Sequence, residues 1–131
     1  MQYLLMIYQN EVEYAKRDAA TTAKTMEEYG AFTQSIIQSG NYKGGDRLQD
    51  THTATTVRVR DGKTLTTDGP FAETREQLGG YYMIEAKDLD TAIAIAARIP
   101  GARTGSVEVR PIWAYEEYAA GVGRGAAGVG A

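Results

Sequence analysis

The sequence predicts an α+β fold, a ferredoxin-like sandwich with an extra hairpin strand. Strand-like segments occur near both ends of the pattern, at residues 2–8 and 106–112. Two helical segments, each with a single apolar face, lie between these strands, and a hairpin signal separates the two helices. In chain order the elements read β-α-ββ-β-α-β. Both helices should therefore cover the same side of one sheet.

The first strand is predicted from the apolar run at residues 2–8. Side chains alternate between the two faces of a strand, and both faces are apolar here. One face would carry Tyr3, Leu5 and Ile7, and the other would carry Leu4, Met6 and Tyr8. We therefore expect this strand to be buried on both faces, with a polar connection at residues 9–20 after it.

The first helix is expected to begin near Thr22 or Thr25, because Thr25 and Glu28 have the spacing of a capping box. Gly40 would follow its end, since glycine readily adopts the left-handed conformation found there. The apolar face of this helix would consist of Met26, Tyr29, Phe32, Thr33, Ile36 and Ile37.

A loop or a weak edge strand around Leu48 is expected at residues 41–50. Residues 55–60 then alternate in the way that is typical of a strand. The Asp61-Gly62 pair is a two-residue hairpin signal, and residues 63–67 would form the returning strand. This hairpin would supply the extra strand of the sheet.

Residues 68–80 form a charged, glycine-flanked loop whose residue choices are too particular for a plain connection. Gly69 and Pro70 favour a turn, because glycine can take positive φ and proline fixes φ near −65°. The segment around Arg75 could add one short helical turn. Phe71 would pack into the core, the alternative being that its ring stacks on a ligand. Binding groups commonly lie on loops that a rigid scaffold holds in this way.

The second half of the predicted sandwich begins with a strand at residues 81–86, in which Tyr81 and Tyr82 point to opposite faces. Asp88 would cap the second helix, and Pro100-Gly101 would stop it. The inner face of this helix would be Leu89, Ala92, Ile93, Ala96 and Ala97. Residues 1–118 would thus form a single domain, and the Gly/Ala-rich residues 119–131 a mobile tail.

Composition limits the classes of function. The chain has 131 residues, which is one domain by length, and a net charge of −3, which argues against binding nucleic acid. It has no cysteine, so disulfide and thiolate chemistry are excluded. Its one histidine, His52, excludes a multi-histidine metal site, and no metal or other cofactor is indicated. The apolar start is too short for a secretory signal and no run is long enough to cross a membrane, so we expect a cytoplasmic domain.

Several motifs along the chain are specific enough to compare with known proteins. They are DGPF at 68–71, ETREQ at 73–77, LGG at 78–80, YY at 81–82, IPGAR at 99–103, SVEVRPI at 106–112 and ATTVRVRDGK at 54–63. Together they resemble the YCII-related family, in particular its DGPF type, over nearly all of residues 1–112. The resemblance implies a dimeric α+β barrel. It also implies a regulatory context, because members often occur beside alternative sigma factors of the extracytoplasmic type.

The resemblance fails where the wider family has been suggested to be catalytic. Those members have a histidine on the first helix that faces an aspartate just before a proline after the second helix. Here Tyr29 lies close to where the histidine would fall, and Ile99 precedes Pro100. The dyad therefore cannot be carried over, and any acid–base role would either fall to Asp68, helped by His52 or Tyr82, or be absent.

Ligand contacts are predicted at Arg58, Phe71, Glu73 and Tyr82. An arginine on a strand needs a carboxylate, a ligand or solvent, so Arg58 could oppose Asp68 and Glu73 in an anion site. The competing interpretation is an ion pair across the strands, worth little when exposed. The sheet face away from the helices would also need a cover, and a second copy of the chain is the simplest one, which predicts a homodimer.

Two hypotheses on function follow. The first is a dimeric module without catalytic activity that binds a small molecule or a partner in a regulatory context. The second is a metal-independent enzyme that performs acid–base chemistry on a polar metabolite, with Asp68 as the key carboxylate. A catalytic Asp68 should lie in a pocket that solvent can reach.

Overall fold

The structure is a computed structural model that describes residues 1–121 of the chain. Its strands are β1 (Gln2–Gln9), β2 (Tyr42–Arg47), β3 (Thr55–Arg60), β4 (Lys63–Asp68), β5 (Gln77–Glu85) and β6 (Ser106–Pro111). Its helices are α1 (Glu11–Ala15), α2 (Ala19–Gln38), α3 (Leu89–Ala96) and α4 (Tyr115–Ala119). Short 3-10 turns occur at Thr51–Thr53 and Pro100–Arg103. None of the helices within residues 1–121 has the length and apolar character needed to span a membrane.

Four of the strands form one antiparallel sheet in the order β2-β5-β1-β6, and α2 and α3 contribute to the core on one of its faces. This is the α+β, ferredoxin-like arrangement that the sequence predicts. The hairpin prediction is correct for β3 and β4, but its place in the sheet is wrong. These two strands form a separate two-stranded sheet, because β2 takes the edge beside β5.

The core lies between the sheet and the two longer helices. β1 directs Tyr3, Leu5 and Ile7 into it, as predicted from their alternation. The remaining core residues are Phe32, Ile36, Ile84, Ala86, Ala92, Ile95, Ala96 and Ile99. On the opposite face of β1, Leu4, Met6 and Tyr8 are only half-buried in this single chain. Cross-strand pairing places Met83 beside Leu4 and Tyr81 beside Met6 on that same face.

The start of α2 differs from the prediction. Asp18 is the N-cap, and its carboxylate accepts a hydrogen bond from the Thr21 backbone N–H at 2.7 Å. This bond holds the pKa of Asp18 below its ordinary value. Thr25 lies buried inside the helix, where its hydroxyl donates to the Thr21 carbonyl at 3.0 Å. The capping-box assignment is therefore wrong, because an earlier aspartate already satisfies the first turn.

The helices contact the sheet through narrower stripes than their apolar faces suggest. In α2 the buried residues are Thr25, Phe32 and Ile36, whereas Met26 and Ile37 are 48% and 46% exposed. In α3 the buried residues are Ala92, Ile95 and Ala96, so the prediction that Leu89 and Ile93 face inward is wrong. Neighbouring helical positions differ by about 100° around the axis, so the residue after a buried one lies at the edge of the stripe.

Several connections also differ from expectation. Residues 9–20 include the short helix α1, and β5 begins at Gln77 rather than Tyr81. Residues 69–76 contain bends but no helical turn. Phe71 is 81% exposed, so its predicted burial in the core is wrong. Apart from its first three residues, the predicted tail at 119–131 lies outside the described part of the chain.

Candidate functional site

A cavity of about 510 Å³ opens on the helix-covered side of the sheet, between α2 and the β2–β5 edge. The helix α1 and residues 47–50 close one end of it. Small-molecule sites usually measure about 300 to 1,000 Å³. The residues that line the cavity include Ile7, Gln9, Glu11, Tyr14, Ala15, Arg17, Met26, Tyr29, Thr33, Tyr42, Gly45, Asp46, Arg47, Leu48, Asp50, Gly80 and Tyr82.

Glycines keep part of the cavity floor free of side chains. A Cβ at Gly45 would lie 2.7 Å from the Tyr81 carbonyl oxygen and 2.9 Å from Cδ1 of Tyr82. A Cβ at Gly80 would lie 2.9 Å from the Asp46 carbonyl oxygen. All three distances are shorter than van der Waals contact, so a larger residue at either position would displace the strands. The close approach of β2 and β5 thus depends on glycine.

Tyr82, one of the residues predicted to contact a ligand, forms one wall of the cavity. Its hydroxyl shares a 2.7 Å hydrogen bond with Oγ1 of Thr33 on α2. Its ring packs edge-on against Phe32 and Tyr42, at centroid distances of 5.2 Å and 6.4 Å. Burial raises the pKa of the Tyr82 phenol, so this group stays protonated and available for hydrogen bonding at neutral pH.

Tyr29 lies at the junction of α2 and the 3-10 turn after α3. Its hydroxyl oxygen accepts a hydrogen bond from the Gly101 backbone N–H at 3.1 Å. Burial is the main cause that raises the pKa of the Tyr29 phenol. Tyr29 therefore meets the turn that begins at Pro100. In the wider family, the suggested histidine–aspartate dyad would lie at this junction. A phenol and a backbone amide meet there instead.

Two arginines flank Tyr14 at the mouth of the cavity. The Cζ atoms of Arg17 and Arg47 lie 4.5 Å and 5.8 Å from the Tyr14 ring centroid, within the range of cation–π attraction. Arg17 donates to the hydroxyls of Thr25 at 3.4 Å and Thr104 at 3.2 Å. Arg47 contacts the Met26 sulfur at 3.5 Å. Within residues 1–121, neither guanidinium has a carboxylate oxygen within 4.0 Å.

Three acidic residues, Glu11, Asp46 and Asp50, also line the cavity. Two of them accept hydrogen bonds from groups other than the arginines. The Glu11 carboxylate accepts hydrogen bonds from the backbone N–H and hydroxyl of Thr51, at 2.7 Å and 2.8 Å. The Asp46 carboxylate accepts from the Tyr81 hydroxyl at 3.0 Å, which raises the pKa of that phenol. Asp50 precedes the 3-10 turn and makes no side-chain cap there. The carboxylates of Glu11 and Asp46 thus fix the loop and the edge strand.

Most of the predicted site residues lie away from this cavity. Asp68 ends β4 opposite Thr55 in the hairpin, and Arg58 lies on β3; both are exposed. Glu73 and Phe71 are exposed in the loop after β4. In the described part of the chain, no ion pair joins Arg58 to Asp68 or Glu73. The structure therefore does not bring these four residues together at the cavity.

His52 lies exposed in the 3-10 turn between β2 and β3. It borders a shallow depression that shares Arg47 and Asp50 with the rim of the larger cavity. No hydrogen bond joins His52 to Asp68 in residues 1–121, although both belong to segments at the base of the hairpin. Nor does that region hold a group of three histidine, aspartate or glutamate side chains that could bind a metal ion.

The sequence analysis missed Tyr14, Arg17 and Arg47. Two of them fall in residues 9–20, which were interpreted as a polar connection, and Arg47 falls in residues 41–50, which were interpreted as a loop or a weak edge strand. Tyr14 lies in the short helix α1 and Arg17 lies beyond its end, so helical spacing does not mark the pair. Nothing in the sequence links that pair to Arg47, thirty residues later.

Two comparisons place the chain among known proteins. A family model described as the YCII-related domain matches residues 1–116. An uncharacterized protein of Rhizobium meliloti (strain 1021) is 35% identical to the chain over 118 residues. That alignment covers 88% of this chain and 95% of the other protein.

Proposed function

We propose, from the premise that this chain belongs to the YCII-related family, that it is a module which binds a small molecule in the cavity between α2 and the β2–β5 edge. The observation that carries the proposal is a cavity of about 510 Å³ that combines apolar walls with a few fixed polar groups. Such a combination is typical of sites for small ligands.

The walls of the cavity support binding because they are already ordered. Tyr82 is held by its hydrogen bond to Thr33 and by two aromatic neighbours. Tyr29 is held by the amide of Gly101. A ligand would thus meet side chains whose conformational entropy has been lost on folding, which lowers the cost of binding.

The proposal includes a homodimer, arranged as a dimeric α+β barrel, that acts in the cytoplasm in a regulatory context beside an alternative sigma factor. The resemblance to the family supports the regulatory context. The half-buried row of Leu4, Met6, Tyr81 and Met83 supports the dimer, since a second sheet could cover it. The cavity opens on the helix-covered side of the sheet, although Tyr81 of this row also borders it.

The dimer can be tested by sedimentation velocity on the wild-type chain and on Met6→Glu. The new charge would lie in the centre of the proposed interface, so the variant should sediment as a monomer. Ala94→Glu, at an exposed position of α3, is the matched control and should remain dimeric. A wild-type chain that sediments as a single subunit at micromolar concentration would refute this part of the proposal.

The alternative function, a metal-independent enzyme with Asp68 as its base, receives less support. Asp68 is exposed at the end of the hairpin and is not part of the cavity wall. A base there would lack the enclosed pocket that acid–base catalysis on a bound metabolite requires. Asp68→Asn is therefore expected to bind ligand in the cavity with wild-type affinity. If Asp68 binds the ligand or acts on it, the variant should instead lose ligand affinity or activity.

The binding proposal is tested by a thermal-shift screen of metabolites against three proteins: wild type, Ala15→Trp and Ala31→Trp. Ala15 lines the mouth and is exposed, so an indole there should obstruct the cavity without changing the core. Ala31 is exposed on α2 away from the cavity and serves as the control. A ligand at about 100 times its Kd should raise Tm by roughly 10 °C, in wild type and Ala31→Trp only. Equal shifts in all three proteins would place the ligand elsewhere.

A further inference from the structure

The pair of arginines at the cavity mouth has no anionic partner in the described chain. Arg17 is half-buried and donates only to neutral hydroxyls, whereas Arg47 is exposed and contacts a sulfur and an aromatic ring. A fixed, partly desolvated guanidinium such as that of Arg17 normally has a carboxylate or phosphate beside it. Both groups are nevertheless held by the same residue, Tyr14.

The nearby acids form no ion pair with these two arginines. Glu11 already accepts two hydrogen bonds from Thr51, and Asp46 accepts one from Tyr81. Asp50 lines the same end of the cavity, but its carboxylate lies more than 4.0 Å from either guanidinium. The mouth of the cavity therefore presents donors whose strongest partner, an anion, would have to come from outside the chain.

The interior of the cavity has a different character. Its walls include Ile7, Met26 and Leu48 together with the rings of Tyr29, Tyr42 and Tyr82. Flat aromatic and thioether surfaces favour a planar, apolar body, because aromatic rings stack or pack edge-on and methionine sulfur contacts ring edges. A sugar phosphate would leave many hydroxyls against these walls without hydrogen bonds, at a cost in affinity.

We infer that the ligand is a small aromatic carboxylate whose ring enters the tyrosine-lined interior and whose carboxylate is bound by Arg17 and Arg47 at the mouth. This inference rests on the proposed function and specifies its ligand class. A planar carboxylate suits an arginine, since two parallel N–H donors of one guanidinium can contact both of its oxygens.

The test is isothermal titration calorimetry with two matched probes, naphthalene-2-carboxylate and naphthalene-2-carboxamide. They have the same ring and nearly the same shape, but only the first carries charge. The carboxylate should bind wild type at least about 10-fold more tightly than the amide. Its affinity should also fall as the salt concentration rises, because the mouth is open to solvent and screened. Inorganic phosphate alone should bind far more weakly, since it lacks the ring.

Three variants locate the charge. Arg47→Gln should weaken the carboxylate by about 5- to 10-fold and Arg17→Gln by about 10-fold or more, with little effect on the amide. Arg60→Gln removes an exposed hairpin arginine that contacts only its neighbour's carbonyl, and should bind as wild type does. Arg17 also joins α2 to Thr104, so Arg17→Lys serves as a variant that keeps the charge if Arg17→Gln is poorly folded. Circular dichroism melting checks each protein.

The outcomes separate this inference from the proposed function. If both probes bind equally tightly and Ala15→Trp blocks both, the cavity is a ligand site but the carboxylate inference is wrong. If phosphate binds as tightly as the aromatic acid, the aromatic part of the inference is wrong. If neither probe binds, and no metabolite of the screen is blocked by Ala15→Trp, both the inference and the proposed function fail.

Discussion

Adjacent glycines in β2 allow a sharp test of how the cavity floor is built. Gly45→Ala would place a Cβ 2.7 Å from the Tyr81 carbonyl oxygen and 2.9 Å from the Tyr82 ring, so the strands must separate. Overpacking of this kind costs about 1 to 3 kcal/mol of unfolding free energy. Gly44→Ala is the matched control, because a Cβ at Gly44 meets no atom within 4 Å.

Neither glycine has a positive φ, so alanine fits the backbone at both positions. Gly44→Ala should therefore lower the unfolding free energy by no more than about 0.5 kcal/mol. It could also raise it by up to about 1 kcal/mol, because alanine reduces the conformational entropy of the unfolded chain. The measurement is urea unfolding followed by circular dichroism, with the same m value for all three proteins. Equal midpoints for Gly45→Ala and wild type, or a lower midpoint for Gly44→Ala than for Gly45→Ala, would refute the described contact between β2 and Tyr82.

Three further predictions concern stability. Ile36→Ala should lower the unfolding free energy by about 2 to 5 kcal/mol, whereas Ile37→Ala, at a 46% exposed position, should cost less than about 1 kcal/mol; similar losses in urea unfolding would contradict the orientation of α2. Tyr82→Phe should lower the unfolding free energy by about 1 kcal/mol. The double variant Tyr82→Phe/Thr33→Val should lose less than the sum of the two single variants, since the two side chains share one hydrogen bond. Additive losses would show that no bond links them. Asp18→Ala should lower Tm at pH 7. Because the folded pKa of Asp18 is lowered, its stabilisation is present above the unfolded value of 3.8 and is lost as the pH falls below it; a difference in Tm that persists unchanged at pH 2 would argue against the cap.

Local signals predicted much of the fold because they act within a few residues. Alternation in β1 identified Tyr3, Leu5 and Ile7 as the buried set. The Asp61-Gly62 pair gave the hairpin turn, and both residues have the positive φ that such a turn requires, 51° and 73°. Each of these features is decided by backbone geometry or by the period of a strand. No knowledge of the rest of the chain is needed for them.

The position of β2 could not be read in the same way. Its sequence contains Gly44 and Gly45, which lower strand propensity, and its pairing with β5 includes a bulge between Tyr42 and Gly44. The strand forms because β5 offers an edge and because Gly45 permits close approach to it. This is a tertiary effect. From the sequence, residues 41–50 were no more than a loop or a weak edge strand, and the hairpin was the clearer candidate for the extra strand.

The candidate site was also beyond the reach of sequence patterns. Its charged groups come from α1, the turn before α2 and the end of β2, and each looked like ordinary surface. The particular residue choices at 68–75 drew attention to Asp68, yet that residue lies in the exposed hairpin. Of the predicted ligand contacts, Tyr82 lines the cavity, because its inward orientation follows from alternation along β5.

The separate hairpin of β3 and β4 has a practical consequence. Its ladder pairs the two strands with each other, and the bonds at its base, from Gly69 N–H to the Ala54 carbonyl and from the Thr56 hydroxyl to the Gly69 carbonyl, close the same unit. The tip at Asp61-Gly62 is exposed and lies apart from the four-stranded sheet. A fluorescent label or an epitope peptide inserted at that tip would therefore report on the protein in solution while the sandwich stays intact.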